Sequence, residues 1–348
     1  MKKIKPLIVL ASLLIALTLI IPAVLVLPFS GEHHASGKLG EDLKKKGGSQ
    51  AKVAQATPSA ADAAVEVAVF RSAKSKIENV QLEDYLVGVV AAEMNADFKD
   101  EALKAQALAA RTYIVNKLIS KDTMGVPKGA QVTDTQMNQV YKNDDELRKQ
   151  WGVDYDWKRK KILDAVRATG GQILTYDGKP IDALFFSTGN GYTENSEEYW
   201  DGNFPYLRSV SSPWDTKSPK FTSQKVMTVK EFETKLGVKI GSGTTIGKIV
   251  QRTTGKRVGK VDFSGKVFSG REIRDKLDLR SSDFAWERKG DNIVITTKGF
   301  GHGVGMSQYG ANGMAQEGSD YKAIVKHYYQ GVEITSAEPM MATITAQK

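Results

Sequence analysis

The first thirty residues constrain this chain more than any other stretch. Lys2, Lys3 and Lys5 precede an uncharged run from Leu7 to Phe29, LIVLASLLIALTLIIPAVLVLPF, 23 residues long. At about 1.5 Å per residue a helix of that length crosses the roughly 30 Å hydrocarbon layer of a bilayer, and the lysines hold its leading end in the cytoplasm. A cleaved secretory leader has an apolar core of roughly 7–15 residues followed by a small-residue cleavage site. This run is longer, and no clear A-x-A site follows it. The expectation is an uncleaved single-pass anchor over 7–29 behind a short cytoplasmic segment 1–6, with everything after Ser30 outside the cytoplasm.

From Gly31 to about Ala64 large apolar residues almost vanish, and the run Lys44, Lys45, Lys46, Gly47, Gly48 has nothing to bury. Residues 30–64 therefore form a flexible linker. A folded domain over 65–338 and a C-terminal tail over 339–348 complete the expected plan. With 41% hydrophobic and 26% charged residues the composition is that of a globular protein, and it excludes collagen-like and wholly disordered chains. The absence of cysteine excludes a disulfide framework, a zinc ribbon and a thiol nucleophile. A net charge of +9 suits an anionic surface such as cell wall, lipid head groups or nucleic acid, without choosing among them.

Val65, Val67 and Val69 alternate as in a half-buried strand, and two helices follow. In the first, Leu82, Tyr85, Leu86, Val89 and Val90 form one apolar stripe; the second spans Glu101 to Ile119, with Leu103, Ala107, Ala110, Ile114 and Leu118 on one face. The segment DAVRATGGQILTYDGKPIDALFFST predicts a helix, a strand, a turn at Asp177–Gly178 and another strand. Beyond Trp214 come short candidate strands, including NIVITTKGF. Helices and short strands are interspersed without a regular βαβ period, which predicts an α+β domain around a substrate groove.

Continuing the stripe of the first helix by eleven positions from Leu82 lands on Glu93. A carboxylate closing an apolar face is poorly placed for packing. Partial burial and the negative end of the helix dipole both raise its pKa, as Asp97, Asp100 or Glu101 would if folded nearby, and a carboxyl protonated near neutral pH is what a general acid needs. The bland alternative ends the helix earlier and turns Glu93 to solvent, with Asn95 as cap. On the second helix Lys104 and Arg111 share a face, as do Gln106 and Tyr113; a solvated helix side is the simpler account, though Arg111 lies in the alanine-rich core-facing stretch and its charge there calls for a fixed partner, structural or functional.

The loop FSTGNGYTENSEEYWDGNFPYL, Phe186 to Leu207, mixes amide and hydroxyl donors with flat rings, which suits sugar binding. GFGHGVGMSQYGANG, Gly299 to Gly313, puts six glycines in 15 residues behind a predicted strand. Its spacing fails the dinucleotide, P-loop and hydrolase-elbow patterns. With only His302 and His327 past the linker and no H-E-x-x-H, no metal site is expected.

The strings VVAAEMNADFKDEALKAQALAARTY (Val89 to Tyr113) and GHGVGMSQYGANGMA (Gly301 to Ala315) resemble the stage II sporulation protein D family of endospore-forming bacteria. The resemblance covers the anchor, the linker and essentially the whole folded region. It implies a peptidoglycan lytic transglycosylase, a lyase that cuts glycan strands stripped of stem peptides during engulfment. It places the catalytic acid on Glu93 and, by motif position, substrate-binding residues on Lys104, Arg111, Ser187, Tyr206, His302, Gln308 and Tyr309. It implies no cofactor. The zinc site that some clostridial relatives build with cysteine is expected to be absent here, so whatever that metal stabilises must be held otherwise. Stage II sporulation proteins P and M are the implied partners, with no nucleic acid. The implied location is the membrane at the mother-cell side of the sporulation septum.

In the implied chemistry Glu93 protonates the glycosidic oxygen between N-acetylmuramic acid and N-acetylglucosamine, then takes the proton of the muramoyl 6-hydroxyl as that oxygen closes onto C1. Two other classes stay open: a non-catalytic peptidoglycan-binding activator of a partner amidase, since the broader family includes an amidase enhancer, and a serine-type amidase using Ser307 and His302.

Overall fold

The computed structural model describes residues 65–346 apart from position 244. The anchor expected over 7–29 and the linker over 30–64 lie outside the described residues. Among those described, no helix is long and apolar enough to cross a membrane.

The domain is α+β, built as two lobes with separate cores. A hairpin of β1 (Glu66–Arg71) and β2 (Lys76–Gln81) opens the main lobe, with Val67 opposite Val80. Val65, Val67 and Val69 are buried, as their alternation requires. Then come α1 (Leu82–Glu93) and α2 (Asp100–Ser120). The five expected stripe residues of α2 are buried, and so are Ala105, Leu108 and Val115 on its other sides. A helix covered all round needs neighbours at close range, and alanine allows this with no side-chain entropy cost. Truncating Leu103 in that core would cost about 2–5 kcal/mol.

β3 (Val132–Thr133) adds in parallel to β1. α3 (Asp144–Trp151) and α4 (Tyr155–Ala168) lead into β4 (Gln172–Tyr176) and β5 (Lys179–Pro180), with Asp177 and Gly178 at positive φ between them. This is the expected order of helix, strand, turn and strand. β6 (Phe185–Phe186) then enters a long irregular stretch.

The second lobe is inserted after it. It comprises β7 (Thr222–Thr228), α5 (Val229–Leu236), β8 (Lys248–Arg252), β9 (Val258–Phe263), β10 (Lys266–Ser269), α6 (Gly270–Leu277), β11 (Phe284–Lys289) and β12 (Asn292–Lys298). Two antiparallel sheets, β10-β9-β8 and β11-β12-β7, and the two helices enclose Phe232, Phe263, Phe268 and Phe284. The helices go beyond the expected strands. One was legible: Ser269 and Glu272 form a capping box, each side chain accepting from the other's backbone N–H.

β13 (Met306–Ser307) returns to the main lobe and pairs in parallel with β6. α7 (Gln308–Gln316), α8 (Tyr321–Tyr328), β14 (Glu333–Ser336) and α9 (Glu338–Ala346) complete the chain, β14 pairing with β4. The tail expected from 339 is instead part of the fold: α9 buries Met341 and Ile344, one turn apart, and packs on α2.

Candidate active site

The stripe of α1 is buried as expected, with Leu82, Tyr85, Leu86, Val89 and Val90 inside. The helix continues to Glu93 and is capped by the Met94 N–H on the Val90 carbonyl. The early-ending alternative, with Asn95 as cap, is thereby excluded; the Asn95 amide oxygen accepts from Asp97 instead. Glu93 is half-buried, and its Oε1 accepts one hydrogen bond, from the Val140 N–H at 2.9 Å. Burial raises its pKa, and the Val140 bond opposes that rise only in part. The acidic neighbours Asp97, Asp100 and Glu101 do not contribute. Desolvation is the cause of the rise.

The loop that supplies Val140 escaped the sequence reading, and a dense set of contacts holds it. Gln139 is buried; its Oε1 accepts from the Tyr85 hydroxyl (3.1 Å) and its Nε2 donates to the Ala110 carbonyl (3.5 Å). Asn138 donates to the Tyr113 hydroxyl (3.2 Å) and accepts from the Thr133 N–H (2.9 Å). Tyr141 stacks on Tyr85 at 5.5 Å above Gly88, where a Cβ would come within 2.4 Å of the Tyr141 ring. Arg71 lies over that ring at 4.9 Å and pairs with Glu78 (2.8 Å), Asp134 (3.0 Å) and Glu146. A buried cation with three carboxylates and an aromatic face clamps this loop. Breaking such a buried cluster by removing one partner costs about 3–5 kcal/mol. A buried-face arginine ending the alternating strand VEVAVFR was the available signal.

Past Glu93 the chain runs to the glycine-rich segment. The Lys99 N–H donates to the Asn312 side chain at 2.8 Å, and Phe98 meets Tyr309 edge-on at 4.9 Å. Gln308 donates to Gln106 (3.4 Å), and the Tyr309 N–H donates to the Ser187 carbonyl (3.1 Å). Tyr309, Gln308 and Ser187 are thus brought together beside the segment that leaves Glu93.

Four other expected contact residues are committed elsewhere. Arg111 is buried and donates to the carbonyls of Thr169 (2.6 Å) and Val166 (3.0 Å), tying α2 to the end of α4. Tyr206 is buried, its hydroxyl accepting from the Asp182 N–H at 3.1 Å. His302 packs among Phe186, Tyr199 and Trp200. Burial, with Arg274 and Arg257 nearby, drives its pKa down to about 3, so the ring is neutral and its Nδ1 accepts from the Val304 N–H. Interior packing explains Arg111 and Tyr206, whereas His302 is half-buried among its aromatic neighbours. Lys104 pairs with Glu101 at 2.6 Å, whose other oxygen accepts from the Tyr321 N–H.

The serine-amidase reading fails on geometry. Ser307 is wholly buried, donates to Asp215 at 2.5 Å and caps α7 by accepting from the Gly310 N–H, while the His302 Nδ1 is engaged with Val304. Among the described residues no group of histidines and carboxylates could hold a metal ion.

The glycine-rich segment joins the lobes. At Gly303, φ is +90° and a Cβ would lie 2.4 Å from the Arg257 guanidinium. Only glycine fits where this backbone crosses the buried arginine. Arg257 faces Glu194 at 3.8 Å, and Glu194 accepts from the Gly255 N–H (2.9 Å) and the Thr253 hydroxyl (2.5 Å).

Comparison with known proteins places this geometry in a lineage. The profile described as "Stage II sporulation protein" matches residues 71–176, the stretch that holds Arg71, Glu93 and the Val140 loop. Stage II sporulation protein D of Bacillus subtilis (strain 168) is 50% identical over 97% of this chain and 98% of its own length. The protein of the same name from Bacillus amyloliquefaciens is 50% identical over 99% of this chain and 100% of its own. The amidase enhancer of Bacillus subtilis (strain 168) is 32% identical over 72% of this chain and 40% of its own.

Proposed function

The chain belongs to the stage II sporulation protein D family, a family of sporulation proteins, and from that premise we propose that it is a lytic transglycosylase acting on peptidoglycan glycan strands stripped of their stem peptides. Residues 7–29 anchor it in the membrane, 30–64 tether it, and the domain from 65 onward works outside the cytoplasm at the mother-cell side of the sporulation septum. Stage II sporulation proteins P and M are its partners there, P supplying stripped strands.

What carries the reading is the state of Glu93: one carboxyl, its pKa raised by burial, bonded to one backbone amide and, among the described residues, paired with no cation. Glycosidases that use water or an enzyme nucleophile pair two carboxyl groups about 5–9.5 Å apart. Here the nucleophile is the substrate's own 6-hydroxyl, and a single carboxyl suffices. Protonated Glu93 gives its proton to the glycosidic oxygen as the C1–O4 bond breaks. The muramoyl O6 bonds to C1, and its proton passes to the Glu93 carboxylate, which restores the acid. No water is consumed, and the product ends in 1,6-anhydro-N-acetylmuramic acid.

The likeness to an amidase enhancer favours a second reading, a wall-binding activator of a partner amidase with no chemistry of its own. One experiment separates them. The detergent-solubilised full chain is incubated with stripped strands and the products are analysed by mass spectrometry. Anhydro ends that vanish with Glu93→Gln support the transglycosylase; reducing-end muramic acid, or no cleavage at all, overturns it.

A further inference from the structure

Resting on that reading, the geometry points to a binding site for the free lactyl carboxylate of N-acetylmuramic acid, formed by Lys220 and Arg280 around Phe300 and Tyr309. This site is how the enzyme selects strands that have lost their stem peptides. The Lys220 ammonium lies 5.5 Å from the centre of the Phe300 ring and 5.8 Å from that of Tyr309. The Arg280 guanidinium lies 5.2 Å from the Phe300 ring. Both cations are exposed, and among the described residues neither has a carboxylate within 4 Å. Nearby charges differ: Lys217 pairs with Glu317, Lys225 with Asp278 and Arg252 with Asp283.

The backbone around this site is fixed. Phe300 exchanges hydrogen bonds with Thr188 (2.7 and 3.0 Å), the Gly301 N–H donates to the Arg280 carbonyl (3.0 Å), and the Lys220 N–H donates to Ser218 (3.1 Å), whose hydroxyl bonds Thr188 (3.0 Å). Tyr309 also meets Phe98, five residues past Glu93. Two cations without a carboxylate partner, set beside aromatic rings, suit one ligand class, a pyranose that carries a carboxylate: the rings offer apolar contact to the sugar's C–H groups, and the anion meets the cations.

Removing a stem peptide at the lactyl amide leaves one carboxylate on every muramic residue, whereas an intact stem presents a neutral amide there. The same cations are therefore satisfied by a stripped strand and left unpaired by an unstripped one.

The test uses the full chain in detergent and two substrates: stripped strands, and the same strands with their lactyl carboxylates coupled to methylamine as neutral amides. KM and kcat are read from anhydro-end release, and co-sedimentation reads binding without cleavage. The wild type should show a KM about tenfold higher on capped strands, the worth of one charge-assisted hydrogen bond, at similar kcat. The Lys220→Gln/Arg280→Gln double variant should bind and cleave both strands with the wild type's capped-strand KM. Equal wild-type affinity for the two substrates, or a double variant that still discriminates, overturns the site. If no strand is cleaved but sedimentation keeps the preference and the double variant loses it, the site stands and the transglycosylase reading falls.

Discussion

Two enclosed glutamates in this chain share burial and differ in everything else. Glu194, at the junction of the lobes, is 1% exposed, accepts from Gly255 and Thr253 in the second lobe, and faces the buried Arg257. Glu93, at the end of α1, stays half-buried with one amide for company. Burial raises the pKa of both, aided at Glu194 by Glu198. A raised pKa alone therefore does not mark a catalytic acid. Access and spare hydrogen-bonding capacity do: Glu194 is spent on joining two lobes, and Glu93 keeps a lone pair and a path to solvent.

The comparison breaks if the two residues exchange consequences on mutation. Glu93→Gln should lower kcat by about a hundred- to ten-thousand-fold, the usual worth of a positioned general acid, with the protein still folded by circular dichroism. Glu194→Ala should leave Arg257 buried without its carboxylate and cost about 3–5 kcal/mol of stability by denaturant unfolding, while kcat in the folded fraction stays within a few-fold. A chemical defect at Glu194 equal to that at Glu93 would erase the distinction.

The loop contact sharpens it. Val140→Pro removes the one N–H that favours the Glu93 carboxylate, so the pKa rises further. Cleavage needs the protonated acid, and the alkaline limb of kcat against pH should move upward. A limb that stays in place, or moves down, would show that the amide does not tune Glu93.

The smallest effect is on stability. Because folding raises the Glu93 pKa, the folded state holds that proton more tightly than the unfolded chain. Its stabilisation is present below the unfolded pKa and is lost as pH rises through the folded one. Glu93→Gln has no proton to lose, so its melting temperature should gain on the wild type as pH rises across that window. Parallel Tm–pH curves would place Glu93 in water.

Much of this was legible in the chain. The stripe from Leu82 carried Glu93 to its place, because an i, i+3, i+4 pattern needs only helical geometry. β1, α2, β4 and the turn at Asp177–Gly178 followed from equally local rules. The helices of the second lobe were harder, since they are short and set among strands. Arg111 and Tyr206 were misplaced for one reason: polar or ring-bearing residues in a signature look alike whether they face a ligand or the interior, and their partners, Val166 and Thr169 for Arg111 and Asp182 for Tyr206, lie far away in sequence.

By itself, then, the amino-acid order determined β1, α1, α2, β4 and the turn after it, the acid at the end of α1, and a family whose relatives run nearly full length. Tertiary structure alone decided what surrounds that acid. Val140 is 47 residues from Glu93, and Gln308 is 202 from Gln106. Periodicity records what a segment turns inward, and it is silent on which distant segment arrives to meet it. That meeting sets desolvation and hydrogen bonding, and through them whether a carboxyl holds its proton.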